Sequence, residues 1–216
     1  MTEPRRYCSL DGLVLRKTSY SESSWIVALL TPDAGQQHVF LKGARRSGKK
    51  NFPDVDHFRC LRITYRPSRQ GGLHTARDSE CLESFDGIAA IPMHFQTASW
   101  ICRFAISNTV VADPAPQLYK SIHSAFRRLA SDEPILCLPV VIGIGFVALT
   151  ENGLMPGFRE PNGPATEVRQ MVSCALSADA PYPEYSKATW RNLADWLHDF
   201  LLGNGLKVPE NLERIT

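Results

Sequence analysis

Short runs of alternating polar and apolar positions dominate the first part of the chain, and they read as strands. Ser9–Thr18 sets Leu13 and Leu15 on one side of an extended chain and Leu10, Gly12 and Val14 on the other, as in a strand buried on both faces. Ser24–Thr31 is rich in β-branched and aromatic residues and ends at Pro32-Asp33-Ala34-Gly35, a turn in which Gly35 can take positive φ. That turn predicts a hairpin. Its return strand, Gln36–Lys42, sets Gln37, Val39 and Leu41 against His38, Phe40 and Lys42, giving one apolar and one mixed face. Gly43–Asp54 breaks the pattern, and extended segments resume at His57–Arg66 and Leu73–Glu83, joined across residues 67–72. Short strands at this spacing, with no helical crossover between them, predict a small closed or nearly closed barrel, which removes exposed strand edges.

Beyond Phe85 the apolar period changes from two to between three and four. Pro92 stands at the first turn of a helix, where its missing N–H costs nothing, and opens a stretch reaching Ala112 with Phe95, Ala98, Cys102, Ala105 and Thr109 as its apolar stripe. A second helix follows Asp113-Pro114-Ala115-Pro116, with Leu118, Ile122, Ala125, Phe126 and Leu129 inward. Further helices are expected over Glu133–Leu149, Thr166–Leu176 and Ser186–Leu202, the last carrying Trp190, Leu193, Trp196, Leu197 and Phe200 as one stripe. The fold class is therefore α+β: an N-terminal five-stranded OB-fold-like barrel over residues 1–85, then an all-α domain over 86–216.

With 216 residues, 44% of them hydrophobic, the chain can bury its cores without disulfides or metals. The six cysteines, at 8, 60, 81, 102, 137 and 174, form no CxxC pair or cluster, which fits a reducing, cytoplasmic setting. Arg5 and Arg6 precede no apolar run of signal-peptide length, so no secretion is expected. The longest apolar run, Ile135–Leu149, contains Pro139, Gly143 and Gly145 and falls short of the roughly 20 residues a bilayer span needs. It is read as a buried core helix, and no membrane partner is expected.

The formal net charge of +2 predicts no partner by itself, but its distribution does. Residues 1–86 hold fourteen Lys or Arg against ten Asp or Glu, whereas 87–216 hold ten against twelve. Within the first part, Lys42, Arg45, Arg46, Lys49 and Lys50 are interleaved with Gly43, Ala44, Ser47 and Gly48, and no acidic residue lies between Asp33 and Asp54. Small residues let a backbone approach closely, so amide, guanidinium and ammonium donors can converge on phosphate oxygens. A loop of like charges is also a common solvated surface. Arg16 and Lys17 end the first strand and extend the basic surface if strands one and three are neighbours. Tyr20 and Phe52, in loops, are candidate platforms for base stacking or else loop packing, whereas Trp25 and Phe40, inside strands, are read as core.

These residues also carry a resemblance. DGLVLRKTSYSESSWIVALLTPDAG followed by LKGARRSGKK resembles the N-terminal signature of the RecO family, through Arg16, Tyr20, Glu22, Ser24, Thr31, Gly35, Lys42, Gly43, Ala44, Arg45 and Arg46. A weaker likeness lies in FVALTENGLMPGF, where Phe146, Leu149, Gly153 and Pro156 match the family segment that closes a central helix. The resemblance implies a bacterial, nucleoid-associated recombination mediator. Such a protein acts in the RecF repair pathway, binds single- and double-stranded DNA, anneals complementary strands, contacts RecR, and helps load RecA onto DNA coated by single-stranded-DNA-binding protein. A site for that protein's tail would need a basic residue beside an apolar pocket, for which Arg103, Arg127 and Arg128 are candidates. Many family members carry a four-cysteine zinc site beyond the central helix; only Cys174 stands there in this chain, so no metal is expected.

Enzyme chemistry lacks its usual handles. GxxxxGK[ST], GxSxG and HExxH strings do not occur, and no cofactor or catalytic residue is expected. His38 and His57 are placed on strands in structural roles, and Asp54 with Asp56 lacks a third acidic partner for a divalent ion. Cys102 and Cys137 fall on apolar helical faces, where an inert thiol is expected. The alternatives to DNA binding are a single-stranded RNA-binding OB module and a non-enzymatic structural adaptor, separable by competition between matched DNA and RNA strands.

Overall fold

The computed structural model describes residues 7–44, 52, 55–68, 73–131, 137–155, 164–177, 179–210 and 215, with backbone alone at 164–167. Two compact units result: Met1–Phe85 with Thr109–Ala115, and Asp86–Asn108 with Pro116–Thr216. The first is a closed barrel of β1 (Cys8–Ser21), β2 (Ser24–Thr31), β3 (Gly35–Leu41), β4 (Arg59–Arg66) and β5 (Leu73–Ser84), in the order β1-β2-β3-β5-β4. Strands β3 and β5 are parallel and the other neighbours antiparallel. Strand β1 closes the barrel by serving two neighbours: Cys8–Leu13 pairs with β4, and Leu13–Ser21 pairs with β2. Register shifts after Val14 and Ser19 bend it from one partner towards the other.

The α+β class and the five-stranded barrel thus agree with the pattern of the sequence. One premise is corrected: β1 and β3 are not neighbours, because β2 lies between them.

Val14, Val27, Leu29, Val39, Leu41, Val55, Leu61 and Ile63 fill the barrel, each contributing roughly 1.5–3 kcal/mol by its burial. The β2–β3 hairpin turns at Gly35, whose φ of 57° is the left-handed conformation that glycine adopts without cost. Thr31 Oγ1 closes the turn, donating to the Gly35 carbonyl at 3.0 Å and accepting from Ala34 N at 3.2 Å. The short parallel junction of β3 with β5 is reinforced by His74, whose ring stacks on Tyr65 at 4.6 Å and meets Gln37 Oε1 at 3.2 Å. Burial holds the His74 imidazole below its ordinary value.

The second unit begins with a 3-10 turn at Asp86–Ala90 and continues through α1 (Pro92–Asn108), α2 (Pro116–Ala130), α3 (Cys137–Glu151), α4 (Pro164–Ala175) and α5 (Lys187–Gly203). Helix α3 is the core helix expected from its apolar run: every residue from Cys137 to Leu149 is buried, and α1, α2, α4 and α5 pack around it. Glu151 at its end accepts from the Gln117 and Leu118 amides at 2.9 and 2.8 Å, capping the first turn of α2. The inward residues expected for α2 are all buried.

Helix α1 departs from expectation in two ways. It stops at Asn108, four residues early, because the Asn108 side chain donates to Phe104 O at 2.8 Å, and Thr109–Ala115 joins the barrel unit instead. There Gln36 N donates to Val110 O at 3.0 Å and Ala112 N to Ala34 O at 3.1 Å. Its buried face is also wider than expected: Ala98, Cys102 and Ala105 are buried as expected, but Phe95 is 48% exposed, while His94, Thr97, Trp100 and Phe104 are inside as well. The His94 ring lies 2.8 Å from Leu129 O and the Trp100 indole donates to Pro209 O at 3.0 Å, so their polar atoms are satisfied there. On α5 the core side is Trp190, Ala194, Leu197 and Leu201, with Trp196 at its margin, 39% exposed and stacked on Phe200.

Cys60, Cys102, Cys137 and Cys174 are buried, whereas Cys8 and Cys81 are half-buried. Burial pushes the Cys102 thiol up to about 12 and raises Cys137 as well, so neither supplies thiolate at neutral pH. A thiol reagent applied to native protein at neutral pH is expected to label Cys8 and Cys81 first, and the other four only after unfolding. Rapid labelling of Cys102, read by peptide mass spectrometry, would contradict this packing.

Candidate nucleic-acid interface

The β1–β2–β3 register sorts the sequence-derived residues onto two sides of the barrel wall. Arg16 lies opposite Ala28, which lies opposite His38; one step along, Thr18 lies opposite Ile26, which lies opposite Phe40. Val27, Val39 and Leu41, the alternate positions, face the barrel interior, so these two rows form the outer face. Arg16 is exposed on it, and burial followed by the Arg16 charge holds the His38 imidazole below its ordinary value. Tyr20 is 65% exposed and sets its ring edge-on to Phe40 at a centroid distance of 5.3 Å. The outer face thus presents a cation, two aromatic rings and a neutral imidazole together.

Lys17, next in sequence to Arg16, is turned the other way. It lies opposite the core residue Val27, with its Nζ 4.9 Å from the centroid of the Trp25 ring and 3.6 Å from Asp56 Oδ1. Trp25, Ala44 and Phe52 all pack against the core cluster that includes Val55. The connection from β3 to β4 is therefore anchored at Ala44, Phe52 and Val55, and the first two anchors flank Arg45, Arg46, Lys49 and Lys50 in sequence. Lys42 is exposed. Beside it Gly43 turns with φ 75° and donates its N–H to Ser24 Oγ at 3.3 Å. Arg45, Arg46, Lys49 and Lys50 lie outside the described residues.

Several expectations change. Phe40, read as core, is half-buried on the outer face against Tyr20; the alternation with Val39 and Leu41 already carried that signal. Trp25 packs on the core as expected. Phe52 packs there too, which leaves Tyr20 as the presented aromatic of the pair, and Tyr20 lies on β1 rather than in a loop. Arg16 and Lys17 are split between two faces, and Arg16 reaches the β3 row across Ala28 rather than by direct pairing. His57 precedes β4 instead of lying on it, and its backbone N–H and ring both approach Asp56 Oδ1, at 2.9 and 3.2 Å. Asp56 as the partner of Lys17 was not anticipated; the two are far apart in sequence and only the fold joins them.

In the helical unit, Arg103 on α1 and Arg127 on α2 are exposed. Arg128 is not available in the way a surface arginine is. Its Nη2 donates to carbonyl oxygens of Cys174 and Ala180, at 3.1 and 2.5 Å, and also to that of Ser177, and its guanidinium stacks over Tyr182 at 4.8 Å. The residues around Cys174 do not fit a zinc site: it is buried, and its Sγ lies 3.0 Å from the Pro181 carbonyl oxygen. Among the described residues, no three His, Cys, Asp or Glu side chains gather as metal ligands. No described helix is long and apolar enough to cross a membrane.

Residues 6–85, which span the barrel, match the family model described as "Recombination protein O N terminal". The barrel is thus similar to the N-terminal part of RecO proteins. A DNA repair protein RecO of Bacillus velezensis is 30% identical over 119 residues, covering 55% of this chain and 46% of that protein. A Listeria monocytogenes DNA repair protein RecO is 29% identical over the same length and shares, and one from Desulforudis audaxviator is 27% identical over 123 residues, 57% of this chain and 49% of that protein. The matched stretch thus spans about half the length of these relatives. Arg16 and Tyr20 on β1 and Phe40 on β3 share the outer face of the matched barrel.

Proposed function

We propose that the chain is a non-enzymatic, DNA-binding recombination mediator of bacterial DNA repair. The observation that carries this reading is the joint presentation, on a RecO-type barrel, of an arginine and an aromatic pair on the outer face, with a bracketed basic run leaving the end of β3. In this reading Lys42, Arg45, Arg46, Lys49 and Lys50 hold phosphates, Arg16 adds a charge beside the bases, and Tyr20 with Phe40 receives an unstacked base. A surface that takes phosphates from two strands without reading sequence brings complementary strands together, which is the physical content of annealing. Contacts with RecR and the tail of single-stranded-DNA-binding protein, and assistance in loading RecA, follow by analogy with the family. Arg103 and Arg127 are the remaining candidates for the tail contact, and the setting is cytoplasmic.

Fluorescence anisotropy with a labelled single-stranded DNA, its duplex and a matched RNA competitor tests the reading. Tyr20→Ala is expected to weaken single-strand binding by at least about fivefold, the low end of one lost base stack, with little change for duplex. Equal loss on both forms would remove the stacking role. A matched RNA that displaces the DNA at equal or lower concentration would favour an RNA-binding module.

A further inference from the structure

We infer that Asp56 is a built-in competitor for phosphate at Lys17, so that the chain's affinity for a nucleic-acid backbone is held below what its cations allow. This rests on the DNA-binding reading and adds a regulated contact to it. Lys17 Nζ is positioned over the Trp25 ring, and Trp25 is itself fixed by packing on the barrel core, so the ammonium is held in place whether or not a carboxylate is beside it. Asp56 is beside it at 3.6 Å, longer than a good charged hydrogen bond, and the two side chains are 20% and 57% exposed. A loose, half-exposed pair of this kind adds little to stability and exchanges readily with another anion.

The carboxylate is kept charged. Burial alone would raise the Asp56 carboxyl, but the His57 backbone N–H, the Lys17 charge and the His57 ring together hold it below its ordinary value. It is therefore an anion throughout the neutral range. The position matters as much as the charge: Trp25, Ala44 and Phe52 pack on the core cluster that includes Val55, the neighbour of Asp56. A phosphate at Lys17 competes with Asp56 for the ammonium, and the His57 amide and ring remain as donors to the carboxylate once it leaves Lys17.

The test uses the full chain and a fluorescein-labelled oligothymidylate titrated at several salt concentrations. Asp56→Asn is expected to tighten binding about two- to fivefold, the range of a released surface ion pair, and to steepen the log–log salt slope by about 0.7, one further phosphate on a single strand. Asp78→Asn, at an exposed position on β5, removes the same charge elsewhere and sets the size of the general effect. With Lys17→Met in the background, the gain from Asp56→Asn should shrink to that of Asp78→Asn. A gain no larger than the Asp78 control, or one that persists without Lys17, overturns the inference while leaving DNA binding standing. Absence of salt-dependent binding in the unaltered chain overturns both. Asp56→Ser, which keeps a hydrogen-bond acceptor near the His57 amide, repeats the measurement if the Asn variant melts at a lower temperature.

Discussion

Replacing Arg45 and Arg46 together by Glu is expected to lower DNA affinity roughly thirtyfold or more at 0.1 M salt and to flatten the log–log salt slope by about 1.4–1.8. The estimate follows from counterion release: each phosphate contact contributes about 0.7 to the slope on single strands and about 0.9 on duplex, so two lost contacts remove twice that. Reversal adds repulsion to the loss. The thermal midpoint should hardly move, because the flanking anchors Ala44 and Phe52 pack on the barrel core and are untouched. An unchanged slope would place the phosphate contacts elsewhere, with the Arg16 face as the first alternative. A slope change accompanied by a large fall in stability would mean that the two arginines serve the fold instead.

The barrel was legible in the sequence because its strands alternate and are punctuated by turn residues; Gly35 marks a hairpin turn that needs positive φ. The core helix was legible because Cys137–Leu149 is apolar without interruption, as a helix surrounded by others must be. What failed has a common cause. Burial of His94 and Thr97 is possible only because Leu129 O and Met93 O, at 2.8 Å each, accept from or face their polar atoms, and a hydropathy pattern has no record of such partners. The overrun of α1 has a related origin: Thr109 and Val110 can end a helix or begin an extended segment, and the carbonyl and amide groups of the β2–β3 turn decide. For the candidate site, the charges were visible but their sides were not. A register shift between Val14 and Arg16 puts Arg16 outward and Lys17 inward, and one bulge residue is invisible to alternation.

Arg128→Met is expected to destabilise the helical unit by about 3 kcal/mol, the order of a lost group of charged hydrogen bonds with their carbonyls left buried. For a chain of this size that corresponds to a midpoint lower by roughly 6–12 °C. The carbonyls of Cys174, Ser177 and Ala180 belong to the C-terminal end of α4 and the chain just after it, where acceptors without helical partners carry partial negative charge. Tyr182 covers the guanidinium, and burial pushes its phenol well above the ordinary tyrosine range, so the ring stays neutral and the cation has no competing anion there. Arg128→Lys should recover only part of the loss, since an ammonium lacks the planar fork and the flat face that stacks on a ring. Arg127→Ala and Arg103→Ala, at exposed positions, should change the midpoint by no more than about 0.5 kcal/mol of stability. If instead Arg128→Met left the melting curve in place and weakened binding of an acidic tail peptide, the arginine would be a partner contact and the cap on α4 would have to come from elsewhere. The neighbouring arginines therefore separate by burial: Arg128 closes a helix end, and Arg127 is exposed on α2.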